Sequence, residues 1–425
     1  MEQITIFKPY TEIKAYYDED LNKNKDLVKT SNDEPTPIDC VEEMFTKIPL
    51  SVIQNPNLKW LDPCCGCGNF SVVAYNLLSK YHDPRHILEN MLYFNDTNVD
   101  RLEIVRQVFC ANKYALNITT MSFLDYNVEL RKYDLILANP PYAKLLANGK
   151  RASKNHNMIG AFIRKSLEIL EPGGHLVYIT PDNWMSCADR NTLIRELTEK
   201  QILYLNIHTA KKYFKKVGSS FTWYIIENVP HYKDIVIEGI RNKTVYTDHV
   251  KSESRSYIPL YYNSKVQTIL SKTIDCCQHE KFEVLTTSDL HKYTKKIHIR
   301  DEQDEEFRYK LIHTPKQTVW ANRPHKFQDG FKVFLGTTSY YNVFVDNCGM
   351  TQSIAFIRCE NETEAKKYAR VLGHPLYKFI NNICRWGNFN NVRIMQSFPK
   401  CDDYDAVYSK FGISADEIQF IEEYV

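Results

Sequence analysis

The sequence predicts an α/β fold, in which an open sheet with helices on both faces is followed by a separate α/β domain. Three short apolar runs, at 59–62, 91–95 and 133–138, end in polar or glycine-rich residues and are separated by helix-like segments. Apolar runs of this length with such boundaries are typical of buried strands. Because open α/β sheets bind ligands at the carboxyl ends of their strands, we expect functional residues directly after each run.

The first run leads into a glycine-rich turn. Residues 62–70 read Asp-Pro-Cys-Cys-Gly-Cys-Gly-Asn-Phe, and an amphipathic segment continues from Phe70 to Leu78. A strand, a Gly-x-Gly turn and a helix form a nucleotide-binding unit, because residues without a Cβ atom let the backbone approach the ligand. A single Gly-x-Gly is weak support for such a site, so the prediction depends on the two runs that follow.

The second run ends in a carboxylate. Asp96 lies about thirty residues after the glycine turn, which is a suitable position for binding both hydroxyls of a ribose. A carboxylate in an ordinary surface turn is the alternative interpretation of Asp96.

The third run ends in Asn139-Pro140-Pro141-Tyr142, whose residue types suit the methylation of an amine conjugated to a ring. Such an amine is a poor nucleophile because its lone pair is delocalised, and two acceptors on its hydrogens would localise that pair. The Asn139 side-chain oxygen and the Pro140 carbonyl are candidate acceptors. Two prolines hold the turn stiff, and Tyr142 offers a flat face for stacking. An ordinary Pro-Pro turn after a strand is the alternative.

Together, these elements resemble the gamma class of amino (N6-adenine) DNA methyltransferases, which use S-adenosylmethionine. Six stretches match in order and spacing across roughly residues 33 to 225. The resemblance implies a Rossmann-like methyltransferase sheet and the transfer of a methyl group to an adenine flipped out of duplex DNA. The cofactor-binding residues that it implies are Thr36, Asp62, Pro63, Gly66, Gly68, Asp96, Thr97, Ser122, Phe123 and Phe162.

The resemblance gives some of these residues specific roles. Thr36 belongs to a Thr-Pro segment that packs over the methionine end of the cofactor, and Phe162 packs on the cofactor adenine. Ser122 stands where the family usually has an acidic residue that contacts the adenine amine. That contact could therefore be made by the Ser122 hydroxyl, by a backbone carbonyl or by Asp125.

By the same resemblance, the catalytic residues are Asn139, Pro140, Tyr142 and Phe214, with Phe214 holding the flipped base against Tyr142. We therefore expect a site-specific DNA adenine-N6 methyltransferase. A cytosine-N4 DNA methyltransferase is an alternative, although those enzymes usually carry Ser in place of Asn139. A protein-glutamine N5 methyltransferase is another, although its catalytic domain is normally near the C-terminus. The last is a catalytically silent DNA-binding partner subunit, against which the intact motif argues.

The regular alternation of strands and helices stops near Val229-Pro230, which predicts a domain boundary there. The predicted segments are a polar N-terminal lead-in at 1–32, a catalytic domain at 33–230 and a DNA target-recognition domain at 231–425. Within the last segment, strands are expected at 331–335, 341–345 and 353–358, and helices at 362–372 and 375–383.

The formal net charge of +2 is uninformative for the whole chain, but residues 141–216 contain 13 Lys and Arg against 6 Asp and Glu. This excess flanks the expected catalytic face, where a phosphate backbone would run. A polar-aromatic loop near the C-terminus could read base edges. The candidate DNA contacts are Lys144, Lys215 and Lys216 for phosphates, and Arg385 and Asn388 for bases. A solvated lysine face and a packed turn are the respective alternatives.

Twelve cysteines without a secretory signal indicate a reducing compartment, expected to be the cytoplasm. No stretch approaches eighteen uninterrupted apolar residues, so no membrane span is expected. No metal is expected, because Cys64, Cys65 and Cys67 lie inside the cofactor turn and no Cys-x-x-Cys pair follows them. The expected partners are double-stranded DNA and a separate cognate restriction endonuclease, and the expected state is a monomer or a weak dimer.

Overall fold

The computed structural model describes residues 4–24, 27, 34–127, 131–142, 158–188, 192–215, 220–338, 340–385 and 389–425. The chain divides into two compact units. The first unit comprises residues 1–184 and 192–255, and the second comprises residues 185–191 and 256–425. No helix within the described ranges is both long enough and apolar enough to cross a membrane.

One large sheet is the centre of the first unit. Its strands within the described residues are β1 (Trp60–Asp62), β2 (Leu92–Asn95), β3 (Asn117–Thr119), β4 (Tyr133–Ala138), β5 (Leu170–Pro181), β6 (Gln201–Ile207), β7 (Phe221–Glu227), β8 (Ile235–Arg241) and β9 (Thr244–Val250). Their order across the sheet is β3-β2-β1-β4-β5-β7-β6-β8-β9. The mixed α/β architecture predicted from the sequence is confirmed.

The strand directions determine where a ligand can bind. β3, β2, β1, β4 and β5 are paired in parallel, and Trp60 of β1 lies opposite Leu92 of β2 and Leu135 of β4. The strand order reverses at β1, and such a switch point is where open α/β sheets bind ligands. β7 runs antiparallel to both β5 and β6, whereas β8 is parallel to β6. All residues of β1, β2 and β6 are buried, as expected of strands covered on both faces.

Short helices connect these strands. Those in the first unit are α1 (Tyr10–Ala15), α2 (Ile38–Phe45), α3 (Leu50–Gln54), α4 (Asn69–Leu78), α5 (Pro84–His86), α6 (Val99–Val108), α7 (Met158–Ile169) and α8 (Leu193–Thr198). α4 begins directly after Gly68, which has a left-handed backbone. α6 begins directly after Asn98, whose side chain caps the helix by accepting from the Arg101 amide at 3.2 Å. α2 packs against α4.

The N-terminal residues contribute to the core of the first unit, which differs from the polar lead-in expected for 1–32. Ile13, Tyr17 and Leu21 are buried and belong to the same apolar cluster as the sheet. They recur every four residues on the helical segment 10–23, so they fall on one face of it. The charged residues between them concealed this stripe in the sequence.

The boundary between the units follows Arg255 and not residue 230. The reason is that β8 and β9 extend the large sheet: Val236 of β8 pairs with Tyr204 of β6, and β9 pairs antiparallel with β8. A change in composition near residue 230 therefore marked the end of the regular helix–strand alternation and not the end of the first unit.

The second unit contains two smaller sheets. Their strands are β10 (Ile299–Arg300), β11 (Tyr309–Thr314), β12 (Gln317–Ala321), β13 (Lys332–Gly336), β14 (Val343–Asp346), β15 (Gly349–Met350) and β16 (Ile354–Arg358), in the orders β10-β12-β11-β15 and β14-β13-β16. The helices are α9 (Ser264–Lys272), α10 (Glu362–Leu372), α11 (Pro375–Ile383), α12 (Val392–Gln396), α13 (Val407–Lys410) and α14 (Ala415–Tyr424). The predicted strands correspond to β13, β14 and β16, and the predicted helices to α10 and α11, so these predictions are confirmed.

Candidate active site

The end of β1 carries a buried carboxylate with an unsatisfied oxygen. Asp62 is 2% exposed, and its Oδ1 accepts from the Cys64 amide at 3.4 Å. Its Oδ2 has no hydrogen-bond partner among the described residues. Burial raises the pKa of the Asp62 carboxyl well above its ordinary value; the Cys64 hydrogen bond opposes this shift, and the negative charge of Asp96 adds to it. A positive charge nearby would therefore stabilise the ionised form of Asp62.

The two glycines of the turn are required for different reasons. Gly66 and Gly68 have φ values of 54° and 94°, in the left-handed region that favours glycine. A Cβ atom on Gly66 would meet open space, whereas one on Gly68 would lie 3.2 Å from Phe109 and 3.4 Å from the Tyr17 hydroxyl. Gly66 therefore leaves room beside the backbone, and Gly68 allows the N-terminal segment and α6 to pack tightly behind the turn.

Asp96 ties the end of β2 to the glycine turn. Its Oδ2 accepts from the Gly66 amide at 2.8 Å, and its Oδ1 accepts from the Asn98 amide at 2.8 Å. These two bonds fix the position of the carboxylate beside the glycine turn. Thr97 and Asn98, which follow Asp96, line the same cavity as Asp96.

Asn95 holds three strand ends together, a role that we did not predict. Its Nδ2 donates to the carbonyls of Pro63 at 2.9 Å and Met121 at 3.0 Å, and its Oδ1 accepts from the Thr119 hydroxyl at 2.8 Å. The ends of β1, β2 and β3 are therefore joined by one buried amide. A polar residue inside an apolar run, directly before Asp96, was the available sequence signal.

Two adjoining cavities lie along these strand ends, with volumes of about 550 and 1050 Å³. Both are lined by Glu34, Cys64, Arg101 and Asn139. Of the predicted residues, the smaller cavity adds Thr36 and Gly66, and the larger adds Pro63, Asp96, Thr97, Ser122, Phe123, Pro140 and Phe162. Asp62, Gly68, Tyr142 and Phe214 are not among the lining residues of either cavity.

Arg101 and Glu34 are charged residues that were not predicted as part of the site, and both line the two cavities. Arg101 lies in the first turns of α6 and donates from Nε to the Leu27 carbonyl at 3.0 Å. Among the described residues, no group of three His, Cys, Asp or Glu side chains could hold a metal ion.

Two aromatic rings border the larger cavity. The centroids of Phe123 and Phe162 are 5.4 Å apart, and both side chains are buried. Ser122 lines this cavity, whereas Asp125 does not. Of the two side chains considered for an adenine contact, Ser122 is therefore the one that faces the cavity.

Asn139 lies where the two cavities meet, and its amide has a defined orientation. Nδ2 donates to the Thr36 hydroxyl at 3.0 Å and to the Glu34 carbonyl at 3.2 Å, while Oδ1 accepts from the Tyr142 hydroxyl at 2.7 Å. A backbone carbonyl can only accept, so the Glu34 contact identifies the nitrogen. The side-chain oxygen of Asn139 therefore faces Tyr142 as an acceptor.

The aromatic residues around Tyr142 include one that we did not predict as part of the site. The Tyr142 ring is 6.0 Å from that of Phe221, which in turn stacks on Phe214 at 4.4 Å. Phe214 and Phe221 are fully buried, whereas Tyr142 is half-buried. Burial raises the pKa of the Tyr142 hydroxyl, and its hydrogen bond to Asn139 opposes that shift. Phe221 therefore contacts both members of the expected aromatic pair.

The predicted DNA contacts are only partly described. Lys215 is exposed, while Lys144, Lys216 and Asn388 lie outside the described residues. The guanidinium of Arg385 lies 5.9 Å from the centroid of the Tyr340 ring, which is 82% exposed. The Nε atom of Arg385 is buried and has no hydrogen-bond partner within the described part of the chain.

Comparison with known proteins gives a family match for part of the chain. Residues 73–215 match the model of the Eco57I restriction-modification methylase family. Type II methyltransferase M.VspI from Vibrio sp. (strain 343) is 28% identical over 183 residues, which covers 40% of this chain and 42% of that protein. The chain thus spans less than half the length of this curated relative.

Solved structures extend the likeness to nearly the whole chain at low identity. A DrdV–DNA complex has a TM-score of 0.54 and 11% identity, and covers 98% of this chain and 60% of its own. The Type IIL restriction-modification enzyme MmeI in complex with DNA has a TM-score of 0.52 and 10% identity, and covers 90% of this chain and 76% of its own. At these identities the likeness concerns the fold.

Proposed function

We propose that this chain is an S-adenosylmethionine-dependent DNA methyltransferase that methylates the N6 amine of adenine in duplex DNA. The observation that carries the proposal is the orientation of the Asn139 amide: the residue lines both cavities, and its side-chain oxygen is the acceptor end, paired with the Tyr142 hydroxyl. The match of residues 73–215 to a restriction-modification methylase family supports the methyltransferase class.

The residues present suit this cofactor. Arg101 lines the smaller cavity, and its guanidinium suits the carboxylate of an amino acid. We assign the ammonium of the amino acid to the orphaned oxygen of Asp62, at the start of the glycine turn. The larger cavity contains Asp96 for ribose hydroxyls and the rings of Phe123 and Phe162 for a base. When bound, the cofactor supplies a methyl group on a sulfonium, which is already activated, so that no strong base is needed.

The protein's own contribution is to hold the target amine. The Asn139 oxygen and the Pro140 carbonyl would accept its two hydrogens and localise its lone pair. In the structure described here the Tyr142 hydroxyl donates to the same Asn139 oxygen at 2.7 Å. We infer that Tyr142 keeps this acceptor paired until the target amine replaces its hydroxyl, after which the ring is available for stacking.

The second unit and the basic residues near the site support DNA as the substrate. A large unit follows the proposed catalytic residues, which is unusual for protein-glutamine methyltransferases. The residue at the position of Asn139 is usually Ser in cytosine-N4 enzymes, which favours adenine. We further propose that the second unit recognises the target sequence, that Lys215 and Arg385 contribute DNA contacts, and that a separate restriction endonuclease is a cognate partner.

The test is methyl transfer to duplex DNA, with analysis of the modified nucleosides by mass spectrometry. A pool of random-sequence duplexes should acquire N6-methyladenine, and the Asn139→Ala variant serves as the matched control. N4-methylcytosine as the product would replace the adenine assignment. If no base is modified, but a protein substrate acquires the methyl group of S-adenosylmethionine on a glutamine, DNA is rejected as the substrate.

A further inference from the structure

We propose that Thr36 is a positioning residue that fixes the Asn139 amide and connects it to the cofactor turn. The inference rests on the proposed function, in which Asn139 accepts the target amine. Thr36 is 3% exposed, and its hydroxyl accepts from Asn139 Nδ2 at 3.0 Å. The family resemblance implies for Thr36 only a place over the methionine end of the cofactor.

The main chain of Thr36 makes the second half of this connection. Its carbonyl accepts from Asn69 Nδ2 at 2.9 Å, and Asn69 is the first residue of α4, directly after Gly68. Asn69 is buried, and its Nδ2 also donates to Asn22 Oδ1 at 2.9 Å. One residue thus bonds to the helix that begins at the cofactor turn and to the side chain that receives the amine.

The Glu34 carbonyl and the Thr36 hydroxyl have different effects on the Asn139 amide. The Glu34 carbonyl decides which end of the amide is nitrogen, because it can only accept, but its bond at 3.2 Å is the only other contact on the nitrogen among the described residues, and the proposed mechanism removes the Tyr142 hydroxyl from the oxygen. The Thr36 hydroxyl adds a second fixed point on the same nitrogen. Because amine activation depends on the placement of the acceptor, loss of this point should slow transfer without removing any group that touches the substrate.

The chain offers matched variants for the test. Thr36→Val keeps the shape and removes the hydroxyl, Thr36→Ser keeps the hydroxyl, and Thr46→Val removes an exposed threonine hydroxyl that bonds to the Glu43 carbonyl at 2.7 Å. We expect Thr36→Val to lower the single-turnover methylation rate roughly 10- to 100-fold, as for other supporting contacts. Cofactor affinity, measured by calorimetry, should stay within about threefold. Thr36→Ser should recover most of the rate that Thr36→Val loses, and Thr46→Val should retain the parental rate.

Two results would overturn the inference. One is a parental rate in Thr36→Val. The other is a parallel loss of rate and cofactor affinity in both Thr36 variants, which would make Thr36 part of the cofactor site.

A second measurement is independent of catalysis. In protein labelled with ¹⁵N-asparagine and free of cofactor, the Asn139 side-chain amide signal is identified by its loss in Asn139→Asp. Thr36→Val should move this signal and accelerate its exchange with water, while Thr36→Ser should leave it close to the parental position. An unchanged signal in Thr36→Val would reject the connection. If the parent protein methylates no DNA, the proposed function fails, and this measurement still decides the role of Thr36.

Discussion

The two halves of the candidate site are held in place by different kinds of contact. In the cofactor half, Asp96 accepts from two backbone amides and Asn95 donates to two backbone carbonyls. In the amine half, Asn139 is held mainly by the hydroxyls of Thr36 and Tyr142. A backbone partner moves only with its strand or turn, whereas a hydroxyl partner also moves when its own side chain rotates. We infer that the cofactor site is rigid and that the acceptor for the amine beside it can adjust.

The largest effect is expected in the amine half, from Asn139→Ala. Removing the acceptor should lower the methylation rate by about 10²–10³, as for the loss of one preorganised polar contact. Cofactor affinity should stay nearly parental, because the cofactor half is anchored separately. A single-turnover assay with calorimetry checks both. A near-parental rate would refute the role of Asn139, and a large loss of cofactor affinity would mean that the two halves are not independent.

In the cofactor half, Asp96→Ala should weaken S-adenosylmethionine binding by roughly 1.5–3 kcal/mol, as expected for losing charged hydrogen bonds. The variant should also melt at a lower temperature, since the amides of Gly66 and Asn98 lose their acceptor. Asp96→Asn keeps one acceptor oxygen, so its cofactor affinity and melting temperature should lie between those of the parent and of Asp96→Ala. Calorimetry and thermal melts provide the measurements. An unchanged dissociation constant for Asp96→Ala would move the ribose contact to another residue.

Tyr142 distinguishes stacking from hydrogen bonding in the amine half. Stacking contributes about 1–3 kcal/mol per base, so Tyr142→Ala should weaken capture of a flipped base and slow transfer. Tyr142→Phe keeps the ring and leaves the Asn139 oxygen without the Tyr142 hydroxyl, so it should retain much of the base capture and much of the transfer rate. Fluorescence of 2-aminopurine at the target position reports capture. Phe214→Ala should act in the same direction but less severely. Parental transfer in Tyr142→Ala would exclude the clamp.

The smallest effect concerns the stability of the cofactor half, through the buried carboxyl of Asp62. Its pKa is raised in the folded protein above the ordinary value of 3.8. As the pH rises above that value, the unfolded chain loses the proton first, so stability falls. Asp62→Asn should remove this loss and raise the melting temperature at neutral pH by roughly 2–4 °C, equivalent to about 1 kcal/mol.

Melts of the cofactor-free parent and of Asp62→Asn between pH 5 and 8 test this expectation. The difference between the two proteins should widen as the pH rises. A difference that is constant with pH would mean that Asp62 ionises normally. The same substitution should weaken cofactor binding, because the acceptor proposed for the ammonium group loses its negative charge.

The sequence predicted those parts of the site that are local in the chain. Each strand end carries its polar residue at the end of an apolar run, which is why Asp62, Asp96 and Asn139 could be predicted as candidates; their roles stay predictions. The contacts of Thr36 and Phe221 could not be found in this way, because Thr36 meets Asn139 across 103 positions and Phe221 reads as an ordinary first residue of a strand. Tertiary packing alone brings them together.

The same limit applies to the ends of the first unit. Composition placed its boundary at residue 230, but the pairing of Val236 with Tyr204 carries the sheet further. At the other end, charged residues hid the apolar stripe of Ile13 and Tyr17. In the second unit the strand and helix positions agree with expectation, while the base-reading role of Arg385 remains a prediction.

The Tyr17 hydroxyl, which donates to the Cys67 carbonyl at 2.8 Å, bears on the order of events during synthesis. Tyr17 is fully buried, and its acceptor lies 50 positions later in the chain. At common rates of translation this separation takes about 3–10 s to produce. During synthesis the apolar face of Ile13, Tyr17 and Leu21 therefore leaves the ribosome several seconds before the glycine turn that it packs behind, and the hydrogen bond to Cys67 can form only after both segments have been made.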